Sequence, residues 1–197
     1  MGYTRTLASI EKQDRTNVFY LFESNAQDPK IADRTFLLLP PDATKPNDKS
    51  AWTYAVAYEK VLQYAAWLRD EYKIEKDEVV AMDFTNKPQF LWLWFALWSL
   101  GARPAFINTN LRDNAFTHCV KVSTARMIFV DPSIREVLNE QTQSELAGQG
   151  ITSVVLEQDT EQAIHKKTPY RAPNEARSGK KLKESALLIC KPFVTHE

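Results

Sequence analysis

Through the middle of the chain, short apolar runs alternate with longer stretches of helical spacing. The runs Glu78–Phe84 (EVVAMDF), Pro104–Asn108 (PAFIN), Arg126–Val130 (RMIFV) and Thr152–Leu156 (TSVVL) read as strands. The first intervening helix starts at Asn86-Lys87-Pro88, with Asn86 or Thr85 as its cap and Pro88 in its first turn. It runs to about Leu100 and stops at Gly101. A second spans Asp113 to Ser123, with Phe116, Cys119 and Val120 on its apolar face. A third, capped by Ser133 or Asp131, runs from Ile134 to about Ala147 and breaks at Gly148 and Gly150. Strands separated by helices require crossover connections. The pattern therefore predicts an α/β fold, a mainly parallel sheet covered by helices on both faces.

The flanks are less regular. Residues 1–34 are expected to form an N-terminal arm, in which Asn17–Asn25 has helical spacing with Val18, Leu21 and Phe22 on one face. Thr35–Leu39 reads as a short strand stopped by Pro40-Pro41, and Asp42–Ser50 as an exposed loop. Trp52-Thr53-Tyr54 then opens a long helix capped by Thr53 and ending near Tyr72. Its apolar stripe is Val56, Val61, Leu62, Ala65, Ala66 and Leu68, while Glu59, Lys60, Arg69, Asp70 and Glu71 stay wet. Residues 157–183 are polar and read as a loop or linker. Ser185–Cys190 (SALLIC) is a fifth strand candidate, followed by Lys191–Glu197 (KPFVTHE).

Composition removes several classes of function. The 197 residues carry 25 Lys+Arg against 25 Asp+Glu, so the basic face that grips nucleic acid is not expected. Two cysteines, Cys119 and Cys190, are too few for a disulfide scaffold. The run Phe90–Leu100 is about half the length that crosses a bilayer. A helix held between a sheet and other helices can be apolar nearly all round, which accounts for FLWLWFALWSL. Met1–Gln13 contains no apolar stretch of the signal-peptide kind, and Gly2 with Thr6 matches only the short myristoylation pattern. An intracellular protein is expected.

Little in the spacing carries chemistry. The five glycines are scattered and form neither dinucleotide nor Walker spacing. His118 and Cys119 are adjacent, so their side chains diverge on a helix and cannot form a nucleophile–base pair. His118 reads as a helix-surface residue and Cys119 as a small buried one. His165 and His196 are remote, so no metal pattern arises. Asn108, Asn110 and Arg112 lie just past the PAFIN strand, where open parallel sheets bind ligands. They either contact a ligand there or cap and hold the loop. Asp83, Thr85 and Asn86 occupy the same position after EVVAMDF, with the same two readings. Tyr170, Arg171 and Arg177 read as surface.

The run VVAMDFTNKPQFLWLWFALWSLGARPAFINTNLR, followed by HCVKVSTARMIFVDP, resembles the very-long-chain acyl-CoA synthetases, also called fatty acid transport proteins. These belong to the adenylate-forming (AMP-binding) superfamily, and the wording is nearest its fungal branch. FYLFE, WTYAVAY, AAWLRDEY and PYRAPNEARSG fit the same region, so the resemblance extends from about Asp14 to Cys190. It implies a doubly wound, mainly parallel sheet with flanking helices: an incomplete N-terminal subdomain of the adenylate-forming fold. Residues 35–190 would be a partial AMP-binding domain and 191–197 a divergent tail.

The implied activity has two steps. A fatty acid carboxylate attacks the α-phosphate of ATP to give an acyl-adenylate, and coenzyme A then displaces AMP, with Mg2+ stabilising phosphate charge. The implied partners are fatty acid, ATP and CoA, a full-length homologue, and a membrane bound peripherally (endoplasmic reticulum, peroxisome, lipid droplet or plasma membrane). Asn108, Asn110, Leu111, Arg112, His118 and Cys119 match family motif positions. Asn108, Asn110, Arg112 and His118 are carried over as ligand-loop contacts. The chain departs from the family after SALLIC, where a tyrosine and a Thr-Ser-Gly-Thr-Thr-Gly type of phosphate loop ending in Lys are expected. Here Cys190 is followed by Lys191, too early and before Pro192, and no serine or glycine follows. No catalytic or metal-binding residue is therefore assigned. The chain is expected to be a truncated front piece, inactive alone. The alternative is a non-catalytic binding or interaction protein derived from the same family.

Overall fold

Short apolar runs separated by helical stretches form the strands of a parallel sheet here, and these set the architecture. The computed structural model describes residues 19–40, 50–177 and 187–189. In chain order the elements are α1 (Phe19–Gln27), β1 (Thr35–Leu38), β2 (Ala51–Thr53), α2 (Tyr54–Tyr72), β3 (Val79–Asp83), α3 (Pro88–Ser99), β4 (Arg103–Phe106) and α4 (Asp113–Val122). They continue as β5 (Met127–Val130), a 3-10 turn (Pro132–Val137), α5 (Glu140–Gly148), β6 (Thr152–Val155), α6 (Gln158–Ile164), α7 (Asn174–Arg177) and β7 (Leu188–Ile189).

The main sheet has the order β6-β5-β3-β4-β7, and its neighbouring strands pair in parallel. β3 and β5 are buried at every position. Alternation along β3 divides the core. Val80 and Met82 pack with α1, α2 and α3, whereas Val79 and Ala81 pack with α4 and α5. α3 lies on the first of these faces with aromatic residues around it. Trp94 meets Phe90, Trp98 and Phe106 at ring-centroid distances of 4.9 to 5.6 Å.

The expected α/β order is present, with local differences. Trp52 and Thr53 belong to β2, which pairs antiparallel with β1 before α2 begins. Thr53 is nonetheless the α2 cap: a cap residue has extended backbone, so one residue can end a strand and start a helix. Its Oγ1 accepts from the Val56 amide at 3.3 Å. Thr53→Ala is expected to lower the unfolding free energy by about 1 kcal/mol in urea titration; no change would remove the cap's role.

Val56 and Leu21, both assigned to apolar faces, are 43% and 52% exposed. The buried face of α1 is instead Phe19, Phe22, Glu23 and Ala26, and Val18 lies outside the described residues. That face is set by Glu23, which accepts from Tyr58 Oη at 2.7 Å and from Arg171 Nε and Nη2 at 2.9 and 3.1 Å. Arg171, read as surface, is thus an anchor for α1.

Residues 157–183 are not simply a linker, since they contain α6 and α7. Ile164 and Ala172 are buried there, the Tyr170 amide donates to the Leu62 carbonyl, and the Arg69 guanidinium lies 3.8 Å over the Tyr170 ring. So few anchoring positions leave no readable apolar period.

The expected 134–147 helix is divided. Ile134 and Leu138 leave helical geometry, and Asn139 restarts the chain as α5 by accepting from the Thr142 amide at 2.8 Å. The α3 cap position is Lys87, with no side-chain capping bond, because Thr85 turns toward Asp131. The expected Asp42–Ser50 loop and the Lys191–Glu197 tail lie outside the described residues, apart from Ser50.

Candidate functional site

The crevice between the ends of β3 and β5 follows from topology. α3 leaves β3 toward the α1–α2 face, while the 3-10 turn leaves β5 toward the α4–α5 face. The chains part there, and such a switch point is where open parallel sheets place ligands. The two strand ends are tied by the Asp131 amide donating to the Asp83 carbonyl at 2.9 Å.

The two aspartates meet opposite environments. Asp131 is fully buried and accepts from Lys87 Nζ at 2.7 Å, from the Ser133 amide and hydroxyl at 2.9 Å each, from the Thr85 amide at 3.2 Å and from the Thr85 hydroxyl. Lys87 Nζ also donates to Ser133 Oγ at 3.0 Å. Burial pushes the Asp131 carboxyl up, but the hydrogen bonds from Lys87, Thr85 and Ser133 outweigh it and bring it to about 2. Asp83 is also fully buried, on the α4–α5 side by alternation along β3, and neither of its oxygens has a hydrogen-bond partner. Burial raises its carboxyl to about 7; Arg112 opposes this, and Asp131 and Glu136 add to it.

The sequence-predicted residues are partly brought together. Asn108 Oδ1 accepts from the Asn110 amide at 3.0 Å, which closes an Asx turn. Arg112 Nη1 donates to the Thr109 and Leu111 carbonyls at 2.7 Å each, and Nη2 lies 3.7 Å from Glu136. The Asn108–Arg112 loop is therefore self-braced near Asp83. His118 is exposed on α4 and is not brought to the strand ends, while Cys119 is buried beside it.

A pocket of about 320 Å³ opens on the other side of the crevice, with Phe84, Pro132 and Leu156 as its apolar part and Lys87, Arg135 and Glu161 among its polar walls. Sequence reasoning passed over Lys87, Ser133 and Glu161 as site residues. The available signal was an aspartate ending an apolar strand and followed by Pro132-Ser133.

ATP and Mg2+ fit these residues poorly. Among the described residues no group of three or more His, Cys, Asp or Glu side chains is arranged to hold a metal. The left-handed glycines Gly101 and Gly150 end helices rather than follow strands. Among the described residues no strand end carries a glycine-rich phosphate cradle.

Comparison with known proteins agrees with the fold. The family model described as AMP-binding enzyme matches residues 23–190. The very long-chain fatty acid transport protein of Saccharomyces cerevisiae is 37% identical over 89 residues, 45% of this chain and 13% of that protein. The very long-chain fatty acid transport protein of Cochliobolus heterostrophus is 30% identical over 139 residues, 71% of this chain and 20% of that protein. The chain thus spans a fifth or less of these relatives. The N-terminal subdomain of Klebsiella oxytoca NpsA, solved with 3-hydroxybenzoyl-AMSN, superposes with a TM-score of 0.59 at 20% identity, over 80% of this chain and 34% of that one. That likeness concerns the fold alone. With a family match across most of its length and the parallel sheet of such a subdomain, the chain belongs to the AMP-binding enzyme family.

Proposed function

We propose that this chain carries the front part of an ATP-dependent fatty acyl-CoA ligase, one that activates a long or very long fatty acid through an acyl-adenylate before transfer to CoA. The observation that carries the reading is the family match over 23–190, joined to the similarity with fatty acid transport proteins. β7 supports it: Leu188 and Ile189 pair with Ala105 and Phe106 of β4, so the chain leaves the sheet beside the Asn108–Arg112 loop. In the family that the sequence resembles, the phosphate loop follows this strand. Asn108, Asn110 and Arg112 would shape the floor beneath that loop, and His118 would face solvent or a neighbouring segment. The domain proposal is an arm to residue 34 and a partial AMP-binding domain over 35–190.

Cys190–Glu197 contains no serine or glycine with which to cradle phosphate. The 197-residue chain is therefore proposed to be inactive alone, with activity requiring the remainder of the fold. Peripheral membrane association is part of this reading; no helix among the described residues is long and apolar enough to cross a membrane. Two measurements test the proposal. Fatty-acid-dependent exchange of pyrophosphate into ATP is expected to be undetectable for the isolated chain; exchange above background would overturn the inactivity. A chimaera carrying residues 23–190 in place of the matching segment of the yeast relative is expected to form acyl-CoA. A folded but inactive chimaera would overturn the ligase reading.

A further inference from the structure

Asp83 ends β3 as a fully buried carboxyl, and no donor reaches either of its oxygens. Such a place is tolerable for a carboxyl that keeps its proton and costly for a carboxylate without a partner. This side of the sheet is mostly apolar. Ile107 and Leu111 come from β4's end and its loop, Val137 from the 3-10 turn, Phe116 and Val120 from α4, and Leu146 from α5. Three charged groups act on Asp83. Asp131 at the β5 end and Glu136 in the 3-10 turn repel a negative charge there, and Arg112 in the loop attracts it. Lys87, across the crevice, is already held by Asp131 at 2.7 Å. Asp113, which opens α4, is met by Asn139 Nδ2 at 3.4 Å.

Arg112 is spent on its own loop. Nη1 holds the Thr109 and Leu111 carbonyls at 2.7 Å each, and Nη2 lies 3.7 Å from the exposed Glu136. These contacts brace a strained joint. The next residue, Asp113, has a φ of 49°, in the left-handed region. A residue with a Cβ stays there only where its surroundings hold it, and Asp is among the few that adopt it readily. The brace, the joint and the stranded carboxyl therefore meet at one end of the sheet.

We propose that Arg112 is a proton-controlled latch: it braces the Asn108–Arg112 loop while Asp83 is protonated, and turns toward the Asp83 carboxylate once that proton is lost, so that the loop swings about Asp113. The proton goes to solvent. The guanidinium gives up the Thr109 and Leu111 carbonyls and Glu136. Water can replace it at all three, because they lie on an exposed loop and an exposed side chain, whereas the buried carboxylate has no water to turn to. That difference sets the direction: the loop is closed at acid pH and opens as the pH rises. The latch is independent of the proposed ligase chemistry, and neither reading rests on the other.

The test is an NMR titration of the 197-residue chain from about pH 5.5 to about pH 8.5, following the Asn110, Leu111 and Asp113 amides, the Arg112 Nε signal and the Asp83 carboxyl carbon. All are expected to move together with a midpoint near 7. Hydrogen exchange at the Leu111 amide, corrected for its intrinsic pH dependence, is expected to quicken about tenfold across the same range. Asp83→Asn keeps the shape without the charge and is expected to hold the loop closed throughout. Glu136→Gln removes a like charge and is expected to lower the midpoint by about half a pH unit; it serves as the second variant if Asp83→Asn fails to fold by circular dichroism. Arg112→Gln is expected to raise the Asp83 midpoint and to leave Leu111 exchange fast at both ends of the range. Loop signals that do not titrate, a transition that persists in folded Asp83→Asn, as titration of His118 would give, a midpoint unchanged or raised in Glu136→Gln, or pH-dependent exchange surviving in folded Arg112→Gln would each overturn the proposal.

Discussion

Asp83→Asn is expected to gain about 3 to 4 kcal/mol of stability relative to the unaltered chain as the pH rises from about 4 to about 8. In the folded chain the Asp83 carboxyl titrates at about 7, whereas an unperturbed one titrates at 3.8. The folded state therefore holds this proton over a range where the unfolded state has released it. That contribution is fully present below the unfolded value and is lost as the pH rises through about 7. Above that, a buried carboxylate with two unpartnered oxygens remains, under the like charges of Asp131 and Glu136 and the partial relief of Arg112. Asparagine keeps the shape and removes the charge, so the two proteins should be closest near pH 4 and furthest apart near pH 8. Urea titrations across that range measure the difference, and parallel pH profiles would refute the buried-charge account.

Asp131→Ala is expected to cost about 3 kcal/mol near neutral pH. The loss has several parts, because Asp131 joins Thr85 after β3, Lys87 at the head of α3 and Ser133 in the 3-10 turn. Lys87 is partly exposed and can turn to water, which limits the cost. The Thr85 and Ser133 amides lose a charged acceptor. The sign with pH is opposite to that of Asp83. A carboxyl lowered to about 2 contributes stability above 3.8 that is lost as the pH falls through about 2. Comparing unfolding of wild type and Asp131→Ala at neutral pH and at about pH 2 separates this from a simple packing loss, which would persist at low pH.

The two aspartates show how adjacent strand ends acquire different chemistry. They end neighbouring strands and share a backbone hydrogen bond, yet donors surround one and none reach the other. The crevice is consequently stabilised around Asp131 and is under electrostatic tension at Asp83. The pocket lined by Phe84, Lys87 and Pro132 opens on the first side, and the Asn108–Arg112 loop lies on the second.

Much of the architecture was legible in local pattern. EVVAMDF, PAFIN and RMIFV read as buried strands because each is short, mostly apolar and separated from the next by a helical stretch, and TSVVL, with Thr152 and Ser153, forms the less buried edge strand β6. Thr53 declared itself as a cap, and Phe116, Cys119 and Val120 as one buried face, because both signals act within a turn or two of chain. Pairing across the fold had no such local sign. Arg171 looked like surface until Glu23, 148 residues away, supplied its carboxylate. Thr85 looked like a helix cap until Asp131, 46 residues on, took its hydroxyl. α6 was hidden because little more than Ile164 anchors it, too little for a period to show. The fold class, the family and the strand-end position of Asn108–Arg112 thus follow from the sequence alone. Which carboxylates are paired, which are stranded and where the pocket opens depended on tertiary structure, because charge partners and cavities are made by residues remote in the chain.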